Sequence, residues 1–237
     1  MGKHLVTQRR GRGTSPTYRS PSHRHIGPVR HHRGEGDGVV EEIIQAPGRS
    51  APVAIVRYGN EKGLMIAPDG LEVGHIVTMG KPVIERGCTL PIGNIPEGTL
   101  VYNIEMQPGD GGKLVRAAGA SALIVGQGER TVVQLPSGHM KNFSRNCKAT
   151  VGVVSGAGRA EKPFYKAGGK FYAYRSTAKA YLRVRGVAMN PVNHPHGGGA
   201  HQHVGRPSTV SSGAPPGQKI GRLSPQKKKS RRRGDVK

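Results

Sequence analysis

Residues 38–80 read GVVEEIIQAPGRSAPVAIVRYGNEKGLMIAPDGLEVGHIVTMG, and the apolar runs within this stretch indicate the fold class. Its apolar or alternating runs are GVVEEIIQ, APVAIVRY, KGLMIAP and GHIVTMG, and Gly, Pro, Asn and Asp separate them. Short runs at this spacing are typical of the strands of a small β-barrel. We therefore predict a first barrel over residues 37–82.

A second set of runs follows residues 81–99, which read KPVIERGCTLPIGNIPEGT and which we interpret as a linker. The runs are LVYNIEM, SALIVGQ, RTVVQLPSG and CKATVGVV. They predict a second barrel within residues 83–170, so the chain is expected to be mainly β. The only short helix that we expect lies around Ser176 to Leu182.

The two ends of the chain carry the charge that the middle lacks. The 237 residues include 37 Lys and Arg against 14 Asp and Glu, which gives a formal net charge of +23. No acid precedes Glu35, and only Asp235 follows Glu161. Such basic ends indicate a polyanionic partner. Poor in core-forming residues, residues 1–36 and 171–237 are predicted to be irregular extensions that become ordered when phosphates neutralise them.

Motifs of other function classes are missing from the sequence. It has no run of eighteen apolar residues and no secretory leader, which argues against a membrane protein. Cys88 and Cys147 lack metal-site spacing, so we expect reduced thiols that pack in a cytosolic protein. The loop PGDGGKL at 108–114 resembles a phosphate loop only weakly, because Gln107 and Leu114 stand where a glycine and a hydroxyl residue are needed. No acid and base pair is visible, so no enzyme is predicted.

Residues 193–203 read NHPHGGGAHQH and allow three interpretations. Four imidazoles could surround zinc, but no thiolate or carboxylate accompanies them. The histidines could also simply pack in a loop. The third interpretation is RNA contact, because glycines permit close backbone approach while His and Asn offer hydrogen bonds to phosphates, 2′-hydroxyls and bases.

Residues 162–186 interleave six aromatic rings with Lys and Arg, in the order KPFYKAGGKFYAYRSTAKAYLRVRG. Cations that follow an RNA backbone and rings that stack on its bases suit irregular RNA. Two or three of these aromatics are expected instead to close the second barrel.

Long motifs in the chain resemble the universal family of the second protein of the large ribosomal subunit, in its archaeal and eukaryotic form. They are RRGRGTSPTYRSPSHR, RSAPVAIVRY, IPEGTLVYNIEMQPGDGGKLVRAAGA, VQLPSGHMKNF, KATVGVVSGAGRAEKP and VRGVAMNPVNHPHGGGAHQHVGRPST. The resemblance runs from about Arg9 to Gly221. It implies an oligonucleotide-binding (OB) barrel over 37–82, an SH3-like barrel over 83–170, and basic arms that enter ribosomal RNA.

The resemblance also implies a function. Members of this family are primary binders of large-subunit rRNA near the peptidyl transferase region and are associated with subunit assembly and joining. The implied partners are that rRNA, neighbouring ribosomal proteins and small-subunit RNA at an intersubunit bridge, with no membrane and no homo-oligomer. We expect a non-enzymatic ribosomal protein of the cytoplasm that has no cofactor of its own, any magnesium being associated with the RNA.

One position departs from the family pattern. The family's DHPHGGG histidine, proposed to contribute to peptidyl transfer, maps to His194, but Asn193 stands where bacterial members have Asp. A carboxylate could hold the imidazole protonated or orient it as a base, whereas an amide cannot. We therefore assign His194 to RNA docking.

The residues predicted to contact rRNA are the arginines, lysines, histidines, glycines, asparagines and one tyrosine of the two ends: Arg9, Arg10, Arg12, Arg19, His23, Arg24, Arg159, Lys162, Lys166, Tyr172, Arg183, Arg185, Asn190, Asn193, His194, His196, Gly197, Gly198, Gly199, His201, His203, Arg206, Lys227, Lys228, Lys229, Arg231, Arg232 and Arg233. No catalytic and no metal-binding residue is predicted. A general nucleic-acid chaperone or DNA-compacting protein is the alternative of the same class, and a histidine-ligated zinc hydrolase is the alternative of another class.

Overall fold

The computed structural model describes residues 19–179, 181–215 and 217–223, which divide into two compact units. The larger unit is Ser22–Thr177. The second, here called the C-terminal unit, consists of the described residues of Ala178–Lys237 together with those of Met1–Pro21. The larger unit holds ten strands and one helix, and they are β1 (Gly36–Ile44), β2 (Val53–Tyr58), β3 (Glu61–Ile66), β4 (Ile76–Met79), β5 (Thr89–Pro91), β6 (Leu100–Tyr102), β7 (Ala122–Gly126), β8 (Thr131–Gln134), β9 (Met140–Phe143), β10 (Lys148–Val151) and α1 (Ala167–Ser176).

The first four strands come from the four runs of residues 38–80. β2 pairs with both β1 and β3 in antiparallel register, and β4 pairs with the other side of β1. The β2–β3 hairpin turns on Gly59 and Asn60, where Gly59 adopts a φ of +59° that suits glycine. A bulge between Val40 and Glu42 interrupts the β1–β2 register and bends the strand.

The remaining six strands lie in the order β5-β10-β6-β7-β8-β9. Neighbours within this group are antiparallel, and a single parallel pair, Met79 with Thr89, joins β5 to β4. All four runs of the second set contain a strand, so their prediction as strands is confirmed. The protein is mainly β, an OB barrel followed by an SH3-like barrel.

Two clusters of buried apolar side chains form the cores. The first lies mainly on β1–β4 and includes Val40, Val56 and Ile66, and the second lies on β5–β10 and includes Leu90 and Ile124. Tyr102 on β6 belongs to the first cluster, where its hydroxyl donates to the carbonyl of Ile66 at 2.9 Å. A strand of the second barrel therefore helps to fill the core of the first.

The interpretation of residues 81–99 as a linker is wrong. This stretch contains β5 and a single 3-10 turn, Ile92–Asn94, and buries Cys88, Leu90 and Ile95. The prolines and glycines of this stretch indicate a loop, but its three-residue strand β5 forms by pairing with β10. β9 was missed as well, because among its four residues only Phe143 is buried.

The predicted helix is displaced from the observed one. α1 begins at Ala167 and ends at Ser176, before the predicted helix over Ser176 to Leu182. Ala178 and Leu182 adopt φ values of +55° and +62°, which end any right-handed helix. Gly168 and Gly169 have low helix propensity, so the local sequence does not indicate a helix at the observed position.

Cys88 and Cys147 are both buried and free, which confirms that they pack in the interior. Burial raises the pKa of the Cys147 thiol, which keeps it uncharged. Over the ranges that the structure describes, no helix is long and apolar enough to cross a bilayer. The predicted domain boundaries stay predictions.

Candidate nucleic-acid interface

The barrels neutralise much of their own charge. Glu41 accepts ion pairs from Arg57 at 2.7 Å and from Lys62 at 2.8 Å, and Asp37 pairs with Lys81 at 2.6 Å. No carboxylate exists in the sequence between Glu161 and Asp235 to do the same for the C-terminal cations. Because like charges repel without such partners, an external polyanion is the natural counter-charge for this end of the chain.

The loop at 105–112 binds its own carboxylate rather than a phosphate. Glu105 is 1% exposed, and its carboxylate accepts the backbone N–H groups of Gly109 at 3.1 Å, Gly111 at 2.9 Å and Lys148 at 2.8 Å. Asp110 accepts further N–H groups of the same loop. The donors that a phosphate loop would offer are thus occupied, in agreement with the weak sequence match.

Exposed aromatic rings surround α1. Phe164, Phe171 and Tyr172 are at least two-fifths exposed, and Tyr165 is fully exposed at 102%. None of the six aromatics of residues 162–186 belongs to either core cluster, so the expectation that two or three close the second barrel is wrong. The apolar residues of α1 do not share one face, and the helix buries no side chain.

Basic side chains accompany these rings in the larger unit. Arg159, Lys162 and Lys166 are exposed in the segment that leads into α1, and Tyr172 lies on the helix. His23 and Arg24 are exposed in a 3-10 turn at the start of the same unit. Exposed cations beside exposed rings form the combination that binds irregular RNA.

The structure brings eight predicted residues together in one loop, residues 185–199, here called the His194 loop: Arg185, Asn190, Asn193, His194, His196, Gly197, Gly198 and Gly199. The Asn190 carbonyl accepts the N–H groups of Asn193 at 2.9 Å and His194 at 3.1 Å. The His194 carbonyl accepts the Gly197 N–H at 2.9 Å, and the Met189 carbonyl accepts the Gly198 N–H at 3.0 Å. The loop is therefore held by its own backbone.

Contacts within the loop explain why glycine stands at several of its positions, and these contacts are not visible in the sequence. A Cβ on Gly197 would lie 2.4 Å from the carbonyl oxygens of Met189 and Asn190. A Cβ on Gly186 would overlap the imidazole of His194. Gly198 and Gly199 adopt φ values of +85° and +89°. Close packing within the loop requires glycine at these positions, whether or not RNA also approaches them.

His194 is held in its neutral form. Its Nδ1 accepts the backbone N–H of His196 at 3.0 Å, which leaves the proton on Nε2. Partial burial, together with the nearby His196, lowers the pKa of His194 below its ordinary value. Nε2–H is then a donor free to face a phosphate, a 2′-hydroxyl or a base, which suits docking better than proton transfer.

The structure does not bring the four histidines of residues 193–203 together around one point. His194 and His196 lie edge to face with ring centroids 5.0 Å apart, whereas His201 and His203 are exposed in the following turn. Among the residues that the structure describes, no three His, Cys, Asp or Glu side chains come together as ligands. This geometry argues against the zinc interpretation.

The arginines of the C-terminal unit point outward. Arg19, Arg183, Arg185 and Arg206 are exposed, and Arg185 donates to the side-chain oxygen of Gln202 at 3.1 Å. The remaining predicted contacts lie outside the described residues: Arg9, Arg10, Arg12, Lys227, Lys228, Lys229, Arg231, Arg232 and Arg233.

The sequence did not predict that residues 27–32 form a strap on the barrels. Val29 is buried, and its carbonyl accepts a guanidinium N–H of Arg116 at 3.0 Å. His31 donates through Nε2 to the carbonyl of Asn103 at 2.7 Å, and burial lowers the pKa of His31. Protein contacts, not phosphates, therefore order this part of the predicted N-terminal extension.

Comparison with known proteins agrees with this layout. The family model described as "Ribosomal Proteins L2, RNA binding N-terminal domain" matches residues 3–79, and "Ribosomal Proteins L2, C-terminal domain" matches residues 85–214. The chain is 53% identical over 233 residues to the large ribosomal subunit protein uL2 of Picrophilus torridus, across 97% of this chain and 98% of the relative. It is 51% identical over 242 residues to uL2 of Methanothermobacter thermautotrophicus, across 98% of this chain and 100% of the relative. Matches that span nearly the whole length of both chains show that this chain belongs to the ribosomal protein L2 family.

Proposed function

We propose that the chain is a structural, rRNA-binding component of the large ribosomal subunit. One observation carries the proposal. Residues 178–223 contain six Lys and Arg and no carboxylate, and none of the side chains described there is buried. A segment whose described residues bury no side chain, and whose sequence from 178 to 223 has no carboxylate, is suited to RNA that supplies both phosphates and packing surface.

The barrels and the two ends have different tasks in this proposal. The cores of the barrels keep the larger unit folded, whereas its exposed segment from Arg159 to Tyr172 and the C-terminal unit contact RNA. Arginines and lysines bind phosphates, exposed rings stack on unpaired bases, and the His194 loop docks as a preformed backbone structure. The predicted contact residues that are exposed in both units support this division.

The place of binding is inferred from the resemblance to the family. We infer that the protein lies near the peptidyl transferase region of the large-subunit rRNA, beside other ribosomal proteins and close to small-subunit RNA at an intersubunit bridge. It acts there as a monomer in cytoplasmic ribosomes, supports assembly and subunit joining, and has neither enzymatic activity nor a cofactor of its own. Neutral His194, with Asn193 beside it, supports a docking role rather than a chemical one.

Sedimentation of the tagged protein from a cell extract at raised salt tests the proposal. The protein is expected to travel with the large subunit, to remain bound as salt increases, and to be released by ribonuclease. Sequencing of the accompanying RNA should return one rRNA, and crosslinks should map beside the peptidyl transferase region. Sedimentation as a free protein, or with mixed RNA or DNA, would contradict the ribosomal role and favour a general nucleic-acid chaperone.

A further inference from the structure

The C-terminal unit contains a cavity of about 610 Å³ that the RNA contacts described above leave without an occupant. Its volume falls within the range of about 300–1,000 Å³ that is typical of small-ligand sites. The cavity lies between the end of the His194 loop and two short strands, β11 (Thr209–Val210) and β12 (Arg222–Leu223).

Backbone hydrogen bonds define the shape of the cavity. β11 and β12 pair in parallel register, and the Arg222 N–H donates to the Ser208 carbonyl at 3.1 Å. Gly221, with a φ of +79°, lies close to that carbonyl, where a Cβ would be 3.1 Å from the oxygen. Two tight turns, closed by the Ala214 and Gln218 N–H groups, complete the wall. Backbone hydrogen bonds therefore set the positions of the residues that line the cavity.

The lining combines apolar walls with hydrogen-bonding and cationic groups. Pro207, Val210 and Ile220 supply apolar surface, whereas His196, Arg206 and Gln218 supply the polar groups. No carboxylate lies within the sequence of this unit between Ala178 and Gly234, so nothing in its lining repels an anion. The ligand that fits is an anion with a flat apolar part.

A nucleotide has this chemistry. Its base can lie between the apolar side chains, its phosphate can accept from the Arg206 guanidinium, and the edges of base and ribose can bond to His196 and Gln218. Inorganic phosphate would not contact the apolar walls, and an apolar ligand would make no use of Arg206, His196 and Gln218.

We propose that this cavity binds a single nucleotide, either one that is unstacked from the bound RNA or a free mononucleotide. The proposal rests on the proposed function where the nucleotide belongs to rRNA, because extrusion of a base from a stack needs RNA already held by the rest of the protein. Whether the nucleotide is part of the RNA or free, the same side chains would bind it.

Titration of the full-length protein with AMP, followed by NMR, tests the site itself. We expect saturable shifts confined to the cavity lining that inorganic phosphate at the same concentration does not reproduce. Ala214→Trp fills the cavity and should abolish them, whereas the matched Ala117→Trp at an exposed position of the larger unit should keep them. Arg206→Gln leaves the apolar walls intact. It should weaken the affinity for AMP by roughly three- to tenfold, as expected for the loss of one charge-assisted hydrogen bond, and should leave the affinity for adenosine unchanged.

Chemical probing of large-subunit rRNA at nucleotide resolution distinguishes the two sources. If the nucleotide comes from the RNA, the wild-type complex should alter the reactivity of one nucleotide, and Ala214→Trp should restore it while the rest of the footprint remains. AMP binding without such a nucleotide assigns the cavity to a free mononucleotide. Equal shifts with phosphate, or equal AMP shifts in Ala214→Trp, overturn the proposal. If wild-type protein leaves no footprint on rRNA at all, the proposed function fails, and the AMP titration alone decides the cavity.

Discussion

The backbone N–H of His196 donates to Nδ1 of His194 at 3.0 Å, so the imidazole of His194 closes its own loop and carries its proton on Nε2. This bond exists only with unprotonated Nδ1, and partial burial lowers the pKa of His194 below its ordinary value of 6.5. Protonation of Nδ1 therefore breaks this bond and disfavours the folded loop.

The stability of the His194 loop should depend on pH. Because the pKa is lower in the folded loop than in the unfolded one, the unfolded loop takes up a proton first as pH falls. The loop's stability is thus complete above pH 6.5 and decreases as pH falls through the folded pKa. NMR titration should give a lower midpoint for His194 in the intact chain than in a peptide of residues 190–199. Equal midpoints would refute the assigned tautomer.

Removal of the His194 side chain should impair docking and not chemistry. His194→Ala is expected to weaken binding to large-subunit rRNA by about 1 kcal/mol, the net value of one hydrogen bond, and to slow assembly. The pH profile of peptide transfer by assembled subunits should be unchanged. His139, exposed in a turn of the second barrel, provides the matched control. His139→Ala should neither weaken rRNA binding nor slow assembly. A shifted pH profile in His194→Ala would show that the imidazole takes part in proton transfer.

Two glycine substitutions should have opposite effects. Gly197→Ala places a methyl group 2.4 Å from two carbonyl oxygens and should destabilise the His194 loop by about 1–3 kcal/mol. Gly169→Ala, on α1 with nothing within 4 Å, should stabilise the helix by about 0.5–1 kcal/mol. Hydrogen exchange of the Gly198 N–H and circular dichroism measure the two effects. Undisturbed exchange in Gly197→Ala would contradict the close packing described for the loop.

The buried carboxylate of Glu105 should be essential to the loop at 105–112. Glu105→Gln replaces one accepting oxygen with an NH₂ group that faces backbone donors, and should cost about 1–3 kcal/mol in the free energy of unfolding. Glu129→Gln, at an exposed position, should change stability by less than about 0.5 kcal/mol. Denaturant titration compares the two variants. Equal unfolding midpoints would mean that the three N–H contacts are energetically unimportant.

An arginine of the C-terminal unit should contribute to the salt dependence of RNA binding. Arg183→Gln is expected to reduce the slope of log affinity against log salt by about 1, because one phosphate contact is lost. Arg57→Gln should leave the slope unchanged, since the Arg57 guanidinium is bound to Glu41 at 2.7 Å. Filter binding to an rRNA fragment at several salt concentrations measures the slopes. The same slope in both variants would remove Arg183 from the interface.

The elements that sequence reasoning found are those with a strong local pattern. β1, β2 and β3 come from runs of apolar and β-branched residues that are visible in the sequence, and each of these strands buries at least two residues. β5 and β9 have three and four residues, and their conformation depends on partner strands that are distant in sequence. α1 was misplaced because Gly168 and Gly169 disfavour a helix locally, and because no buried apolar face marks the position of this helix in the sequence.

Some features of the candidate site could likewise be predicted from the sequence, and others could not. The excess of cations and the presence of aromatic rings at residues 162–186 follow from composition, and the exposure of Tyr165 and Tyr172 agrees with a binding role. Sequence could not show that Gly197 packs on carbonyl oxygens of its own loop, or that Val29 and His31 lie against the barrels, since these contacts join segments without a shared pattern.

The mainly β fold class, the neutral middle and the basic ends, and hence a polyanionic partner, follow from the residues alone, because hydrophobic periodicity and charge are local properties. Three features became visible only in the folded chain: Tyr102 fills the core of the first barrel, the His196 N–H binds Nδ1 of His194, and a cavity lies beside β11 and β12. Those features arise from distances between residues that the chain brings together only when it folds, and no local pattern encodes them.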